Sequence, residues 1–200
     1  MRLAHWRWGF YCSRLRINHQ TVHKQIGVID TSCVIALESA NLLPLLSVLF
    51  HRLMLPKAVR TEFYRKRQTR DRLRALQRDF VFIVPCDDYD RAAVDASLTD
   101  PKRRKKDRGE AEAVVQASQT GAMVLVDDRW GRTLAARFAL ECHGTLWIFD
   151  RLHQLGLIEA KTVRQSLVGL RKQGIRFPMG EANKLLRQIH QPPIESANPR

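Results

Sequence analysis

Four short stretches of this chain are almost wholly apolar, and sequence with helical character separates them. They are residues 26–29, 52–55, 80–84 and 123–126. A strand that is apolar at nearly every position is buried on both faces, which is typical of a parallel sheet covered by helices on both sides. The chain is therefore predicted to have an α/β fold of three layers, with a twisted parallel sheet flanked by helices. Helices are predicted over 32–41, 42–50, 88–98, 109–120, 146–154, 160–172 and 181–189, and others are predicted to begin at Pro56 and after Asp128.

Acidic residues stand near the ends of these predicted elements. Asp30 directly follows the first strand, Asp127 and Asp128 follow the last, and Glu62 and Glu110 lie in helices a few residues past a strand or loop. In parallel α/β sheets, ligands bind beyond the carboxyl ends of the strands, at the point where the strand order reverses. We therefore expect these acids, which come from four separate segments, to form one cluster.

Each acid also has a purely structural interpretation. The aspartates after the strands are suited to cap the helices that follow them. Asp107 and Glu110 have the spacing of a capping box, and Glu62 precedes Lys66 by four residues, as in a solvated helical ion pair. The cluster is favoured because all five acids coincide with elements that a parallel sheet brings together.

A cluster of carboxylates predicts a bound cation. Two carboxylates about 5 Å apart repel by roughly 3 kcal/mol at an effective dielectric of about 20, so an empty cluster raises the pKa values of its members. A hard divalent cation relieves this repulsion, and an all-oxygen site without His or Cys suits Mg²⁺ or Mn²⁺ rather than zinc. On a basic protein, such a site indicates phosphodiester chemistry, in which the metal activates water and orients the phosphate.

The chain is strongly basic, with 34 Lys and Arg against 20 Asp and Glu and a net charge of +14. This excess favours a polyanionic partner, either nucleic acid or an acidic protein. Trp6 and Trp8 lie among arginines in the first 24 residues, where they either stack on bases or belong to an unfolded tail. Two further basic blocks are expected to contact RNA or an acidic partner through Arg65, Lys66, Arg67, Arg70, Arg74, Lys102, Arg103, Arg104, Lys105 and Lys106.

Cysteine spacing and hydropathy argue against other classes of protein. Cys12, Cys33, Cys86 and Cys142 are scattered without a C-x-x-C pair, which fits a reducing compartment rather than a disulfide framework or a zinc ribbon. No apolar run reaches the roughly 18 residues of a membrane span. The basic N-terminus lacks the apolar stretch of a secretory signal. A cytoplasmic protein with no membrane segment is expected.

Four segments resemble, in order, the acidic motifs of PIN-domain ribonucleases. They are IDTSCVIAL (29–37), LPKAVRTE (55–62), RGEAEA (108–113) and LVDDR (125–129), and GTL (144–146) matches the strand end that follows. The resemblance covers roughly residues 25–172. The G-E-A-E-A form and the helical tail are most similar to one branch of the VapC-like toxins.

The resemblance implies a PIN-like fold and a Mg²⁺- or Mn²⁺-dependent endoribonuclease that hydrolyses RNA phosphodiester bonds. Asp30, Glu62, Glu110 and Asp128 would be the catalytic acids. The metal ligands among them would be Asp30, Glu110 and Asp128. The toxin branch further implies a homodimer and a small antitoxin protein that lies across the groove near the first helices.

Two assignments within the motifs stay open. Many relatives have T-x-D where this chain has Val-Asp-Asp, so either Asp127 or Asp128 faces the metal. Glu112 is a second candidate beside Glu110, but two residues turn a helix by about 200°, so both are not expected to point into one pocket. Glu110 is preferred because its distance to Asp128 along the sequence suits the spacing in the family that the chain resembles. Ser32 would supply a hydroxyl that hydrogen-bonds within the site.

The predicted organisation is a basic, possibly disordered extension (1–24), a PIN-like nuclease domain (25–150) and a C-terminal helical extension packed on the same domain (151–200). Three alternatives to a ribonuclease remain. A PIN-fold module could bind RNA or an antitoxin without cutting, and a nuclease could act on DNA instead. A phosphotransfer receiver domain is disfavoured because the first strand ends in a single aspartate.

Overall fold

The computed structural model describes residues 25–63, 81–84, 88–98 and 107–195. For residues 62, 63, 82, 83 and 88–90 it describes the secondary structure alone. The predicted 1–24 extension and the basic residues of 65–78 and 102–106 lie outside the described residues.

Five parallel strands form one sheet in the order β3-β2-β1-β4-β5. This confirms the predicted α/β fold with a parallel sheet. The strands are β1 (Gln25–Ile29), β2 (Phe50–Pro56), β3 (Val81–Val84), β4 (Met123–Leu125) and β5 (Cys142–His143).

The helices in the described residues occur close to the predicted positions, with one exception. The predicted helix over 42–50 is wrong in part. A 3₁₀ turn (Leu43–Leu45) contains Pro44, and a single helical turn follows it. Phe50 already pairs with Gln25 in the sheet. The helices are α1 (Thr31–Ser39), α2 (Leu46–Leu49), α3 (Lys57–Phe63), α4 (Asp88–Ser97), α5 (Arg108–Thr120), α6 (Arg129–Arg137), α7 (Thr145–Gln154), α8 (Ala160–Lys172) and α9 (Met179–Gln188).

Alternate strand residues point to opposite faces of the sheet, as the two-residue period of a strand requires. Ile29 and Leu125 belong to a larger core shared with α1, α7, α8 and α9. Val28 and Val124 belong to a smaller core shared with α4, α5 and α6. The sheet is therefore covered on both faces, which confirms the three layers.

None of the helices in the described ranges is by itself long and apolar enough to cross a membrane. Only the pair formed by Thr31–Ser39 and Leu43–Leu49, bent by 111°, meets the length and composition of a span. Four residues of α1 (Cys33, Val34, Ala36 and Leu37) are buried within the fold.

The strand order places a switch point between β1 and β4. The chain builds outward from β1 to β3 and then returns to add β4 on the other side of β1. The Asp30 backbone N–H donates to Leu125 O at 3.0 Å, which joins the carboxyl ends of these two strands. Because helices after adjacent strands diverge at such a point, a crevice forms there.

Candidate metal and catalytic site

Asp30 lies at the switch point, directly after β1, and its side chain is 1% exposed. Its Oδ1 accepts a hydrogen bond of 2.9 Å from the Cys33 backbone N–H and caps α1. The Ser32 hydroxyl lies 2.9 Å from each carboxylate oxygen of Asp30. The helix-cap interpretation is therefore correct for Asp30, and Ser32 is placed where a supporting hydroxyl was expected.

The surroundings of Asp30 raise the pKa of its carboxyl to about 7. Burial is the largest cause, because removing water disfavours the charged form. The negative charges of Asp127 and Glu110 raise the pKa further, whereas the hydrogen bonds from Cys33 and Ser32 lower it. Three acids from separate segments therefore interact at this point, with Asp30 at the centre.

Asp127, rather than Asp128, lies on the Asp30 side of the loop after β4. Asp127 accepts hydrogen bonds from the Thr145 backbone N–H, at 2.8 Å, and from the Thr145 hydroxyl. Asp128 is exposed and accepts from the Trp130 backbone N–H at 2.7 Å, so it caps α6. The geometry thus reverses the order of preference that the motif suggested, because Thr145 holds the first aspartate inward.

The buried thiol of Cys33 borders the same aspartates. Burial raises its pKa well above the ordinary value, and the charges of Asp127 and Asp30 raise it further. A thiol that stays protonated is a poor nucleophile, and Cys33 belongs to the larger hydrophobic core.

Glu110 and Glu112 point in different directions, as the 200° between them requires. The stem of Glu110 packs where Gly131 leaves space in α6, with its Cβ 3.3 Å from the position that a Gly131 side chain would occupy. Glu112 is 3% exposed and accepts from the Ala58 backbone N–H at 2.9 Å and from Arg108 Nε at 3.2 Å. The structure therefore places Glu112 outside the Asp30 cluster, where it joins α5 to the start of α3.

Two other sequence expectations meet the structure less directly. Asp107 precedes α5 but makes no side-chain capping bond to it, so its half of the predicted capping box does not form. Glu62 lies in α3, and its side chain is outside the described residues. The hydrogen bond that Glu112 accepts from the Ala58 backbone N–H nevertheless fixes the first turn of α3, the helix that contains Glu62.

Thr145, Gly144 and Arg132 were not recognised from the sequence as parts of this site. A Cβ at Gly144 would overlap Asp127 Oδ1 and lie 2.6 Å from Arg132 Nη2. The Gly144 φ of −138° is available to any residue, so what favours glycine there is the limited space and not the backbone conformation. The G-T-L motif was the available signal, but it indicated only the end of a strand.

A cleft of about 480 Å³ opens beside the acids. One wall comes from α1 and the loop after β4, and the other comes from the α8–α9 loop (residues 173–178), which the sequence did not implicate. The lining residues are Ser32, Ile35, Asp127, Asp128, Arg129, Ile175, Arg176, Phe177 and Pro178.

Comparison with known families agrees with this geometry. A family model described as a PIN domain matches residues 26–191. The chain belongs to the PIN-domain family. PIN domains have a nuclease-type fold, are generally nucleases and usually use divalent metals. No curated protein matches the chain.

The acids of this PIN domain are chemically suited to Mg²⁺ or Mn²⁺. Among the residues whose side chains are described, no three Asp, Glu, His or Cys groups are placed so that they could hold a metal ion together. Mg²⁺ does not require three such groups, because it keeps several waters and binds through one or two carboxylates. Asp30 and Asp127 supply only oxygen donors, and their mutual repulsion is the kind that a divalent cation relieves. The residues present therefore fit the metal that the family uses.

Proposed function

We propose that this PIN domain is a Mg²⁺- or Mn²⁺-dependent endoribonuclease that hydrolyses RNA phosphodiester bonds. The observation that carries the proposal is the buried Asp30 carboxyl at the β1–β4 switch point, with Asp127 and Glu110 close enough to raise its pKa. A net charge of +14 supports a nucleic acid substrate.

In this proposal Asp30 and Asp127 would bind the metal directly, and Glu110 would add negative charge beside them, with Glu62 as a further acid. Such an ion, when bound, lowers the pKa of water and stabilises charge that develops on a phosphate. The surrounding residues keep the acids in place: Ser32 fixes both oxygens of Asp30, and Thr145 fixes both oxygens of Asp127. Hydrogen bonds of this kind fix the orientation of carboxylates that bind a metal.

The experiment is cleavage of an unstructured RNA with Mg²⁺, Mn²⁺ or EDTA by the wild type and by Asp30→Asn. The wild type is expected to cut only with metal, and the variant is expected to be at least about a hundredfold slower because it loses a ligand. Asparagine caps helices as well as aspartate does, so α1 is retained. Asp150→Asn in α7 is a control whose activity is expected to match the wild type.

An Asp30→Asn protein that cuts as fast as the wild type would contradict the assignment of the site. RNA binding without cleavage in either metal would instead support the alternative of a non-catalytic PIN-fold module. Isothermal titration with Mn²⁺ separates loss of metal binding from loss of the chemical step.

We further propose that the protein acts as the toxin of a toxin–antitoxin pair, as a homodimer bound by a small antitoxin. The support is the G-E-A-E-A motif at residues 109–113, which resembles the VapC-like branch, and the positive charge, which favours an acidic partner. Induced expression in bacteria is expected to arrest growth, and Asp30→Asn is expected to abolish the arrest. Normal growth with the wild type would contradict the toxin assignment but not the nuclease.

A further inference from the structure

The cleft beside the acids is continuous with the proposed metal site. Ser32 donates a hydrogen bond to Asp30, Asp127 interacts electrostatically with Asp30, and both residues also line the cleft. The facing wall is the loop between α8 and α9, which contributes Arg176 and Phe177. A group bound in the cleft would therefore lie next to the carboxylates without replacing them.

The cleft combines an apolar wall with cationic groups. Phe177 is half-buried, packs against the larger core and lines the cleft, so the fold holds its ring in place. Ile35 and Ile175 extend the apolar surface. Arg129 and Arg176 are exposed beside it and supply planar, permanently charged donors for phosphate.

This chemistry matches one unpaired nucleotide. An aromatic ring stacks on a nucleobase irrespective of its sequence, whereas arginine binds the phosphate that is attached to it. A volume of about 480 Å³ is within the range of pockets that hold small molecules. A base within a duplex is already stacked and could not enter, so the cleft selects single-stranded RNA.

We propose that this cleft is a nucleotide subsite, in which Phe177 stacks on a base next to the scissile phosphate and Arg129 and Arg176 bind a neighbouring phosphate. The inference rests on the proposed nuclease function and adds to it the single-stranded character of the substrate and the residues that position it.

The test is the affinity of the full-length protein for a fluorescein-labelled, unstructured RNA, measured by anisotropy in EDTA so that no cleavage occurs. Phe177→Leu keeps an apolar side chain against the core but removes the aromatic face. It is expected to weaken binding about tenfold, as loss of one stacked base does. Phe177→Trp is expected to retain binding.

Salt dependence separates stacking from phosphate contacts. Arg176→Ala is expected to weaken binding and to reduce the slope of log affinity against log salt by about 0.7, the value for one phosphate contact on a single strand. Phe177→Leu is expected to leave that slope unchanged, because stacking releases no counterions.

Arg137 and Phe138 provide a matched control. They are also an adjacent arginine and phenylalanine, and they line a different groove of about 450 Å³ between α4 and α6. Phe138 is 39% exposed. Arg137→Ala and Phe138→Leu are expected to bind RNA as the wild type does.

Three results would overturn the subsite: wild-type affinity in both Phe177→Leu and Arg176→Ala, equal losses in the control pair, or equal losses with blunt duplex RNA. Failure of the nuclease proposal looks different. Weakened binding by Phe177→Leu with no cleavage by the wild type would leave the subsite and remove the nuclease. Metal-dependent cleavage by the wild type, together with wild-type RNA affinity in Phe177→Leu and Arg176→Ala, would support the nuclease and contradict the subsite.

Discussion

Two regions of this PIN domain each present a pair of acids: the N-terminal part of α5, with Glu110 and Glu112, and the loop after β4, with Asp127 and Asp128. In both, one acid acts electrostatically on Asp30, and the other binds the backbone N–H at the start of a helix. Asp127 does both, because it also accepts a hydrogen bond from the Thr145 backbone N–H at the start of α7. Glu112 caps α3, which is distant in sequence, and is buried, whereas Asp128 caps its own helix and is exposed.

The comparison shows that neighbouring carboxylates have opposite effects on the folded state. The charges of the inner acids, Glu110 and Asp127, repel the ionised form of the buried Asp30, and this interaction is unfavourable without a counterion. The outer acids, Glu112 and Asp128, satisfy backbone donors and stabilise the helices around the site. Inner and outer acids should consequently separate in experiments on activity and stability.

The largest expected difference is in activity, between Asp127→Asn and Asp128→Asn. The first removes a carboxylate that faces Asp30 and is expected to slow RNA cleavage at least about a hundredfold. The second keeps a side chain that caps helices well, so its rate is expected to stay within about tenfold of the wild type. Initial rates with Mn²⁺ measure both variants. A larger loss of cleavage rate in Asp128→Asn than in Asp127→Asn would assign the metal to Asp128 and contradict the distinction between inner and outer acids.

A second effect is the pH dependence of stability without metal. The pKa of Asp30 is about 7 in the folded protein and 3.8 in the reference state, so the folded protein retains a proton that the unfolded chain loses. Stability is therefore expected to fall as pH rises from about 4 to 7, by about 1.4 kcal/mol for each unit of pKa difference.

Urea unfolding in EDTA at pH 5 and pH 8 measures this change, taken as the wild type minus Asp30→Asn so that other titrating groups cancel. Asp127→Asn is expected to reduce the difference, because it removes one of the charges that raise the Asp30 pKa. Asp128→Asn is expected to leave it unchanged. If the difference in unfolding free energy were the same at pH 5 and pH 8, Asp30 would be ionised in the folded protein at both values, which would contradict a raised pKa.

The α5 pair gives a third contrast, in stability. Glu112→Ala leaves the Ala58 N–H without its acceptor and is expected to lower the free energy of unfolding by about 1–3 kcal/mol. Glu110→Ala removes a charge that repels Asp30, so it is expected to destabilise the metal-free protein less than Glu112→Ala does, while cleavage falls. Chemical denaturation of both variants in EDTA tests this, and equal destabilisation would contradict it.

The smallest effect concerns the space above Asp127. Gly144→Ala places a methyl group against Asp127 Oδ1, the end of a side chain that can move away. Cleavage is expected to slow about tenfold, as when a metal ligand loses its support, with stability within about 1 kcal/mol of the wild type. Gly169→Ala in α8, where a Cβ meets no atom within 4 Å, is the control, and it is expected to retain full activity.

Much of the fold could be predicted from the sequence because the strands are apolar on both faces, and that pattern requires a covered parallel sheet. The secondary structure around Pro44 was harder to predict. An apolar residue such as Phe50 suits a buried helix or a buried strand equally well, and only its pairing with Gln25 shows that it belongs to a strand. Nothing in the sequence of the α8–α9 loop indicated that it lines the cleft, because its position beside the acids depends on how α8 and α9 pack against elements that are far away along the chain.

By itself, the sequence determined which strands end in an acid and, through the parallel sheet, that Asp30 and the residues after β4 meet at one edge. Only the tertiary structure decided between Asp127 and Asp128, and only it showed why Glu110, which the family resemblance already preferred, faces inward rather than Glu112. That choice depends on donors far away along the chain, Thr145 for Asp127 and Ala58 for Glu112. A carboxylate turns toward the hydrogen-bond donors that the fold places beside it, and no local pattern around residues 110 or 127 encodes where those donors lie.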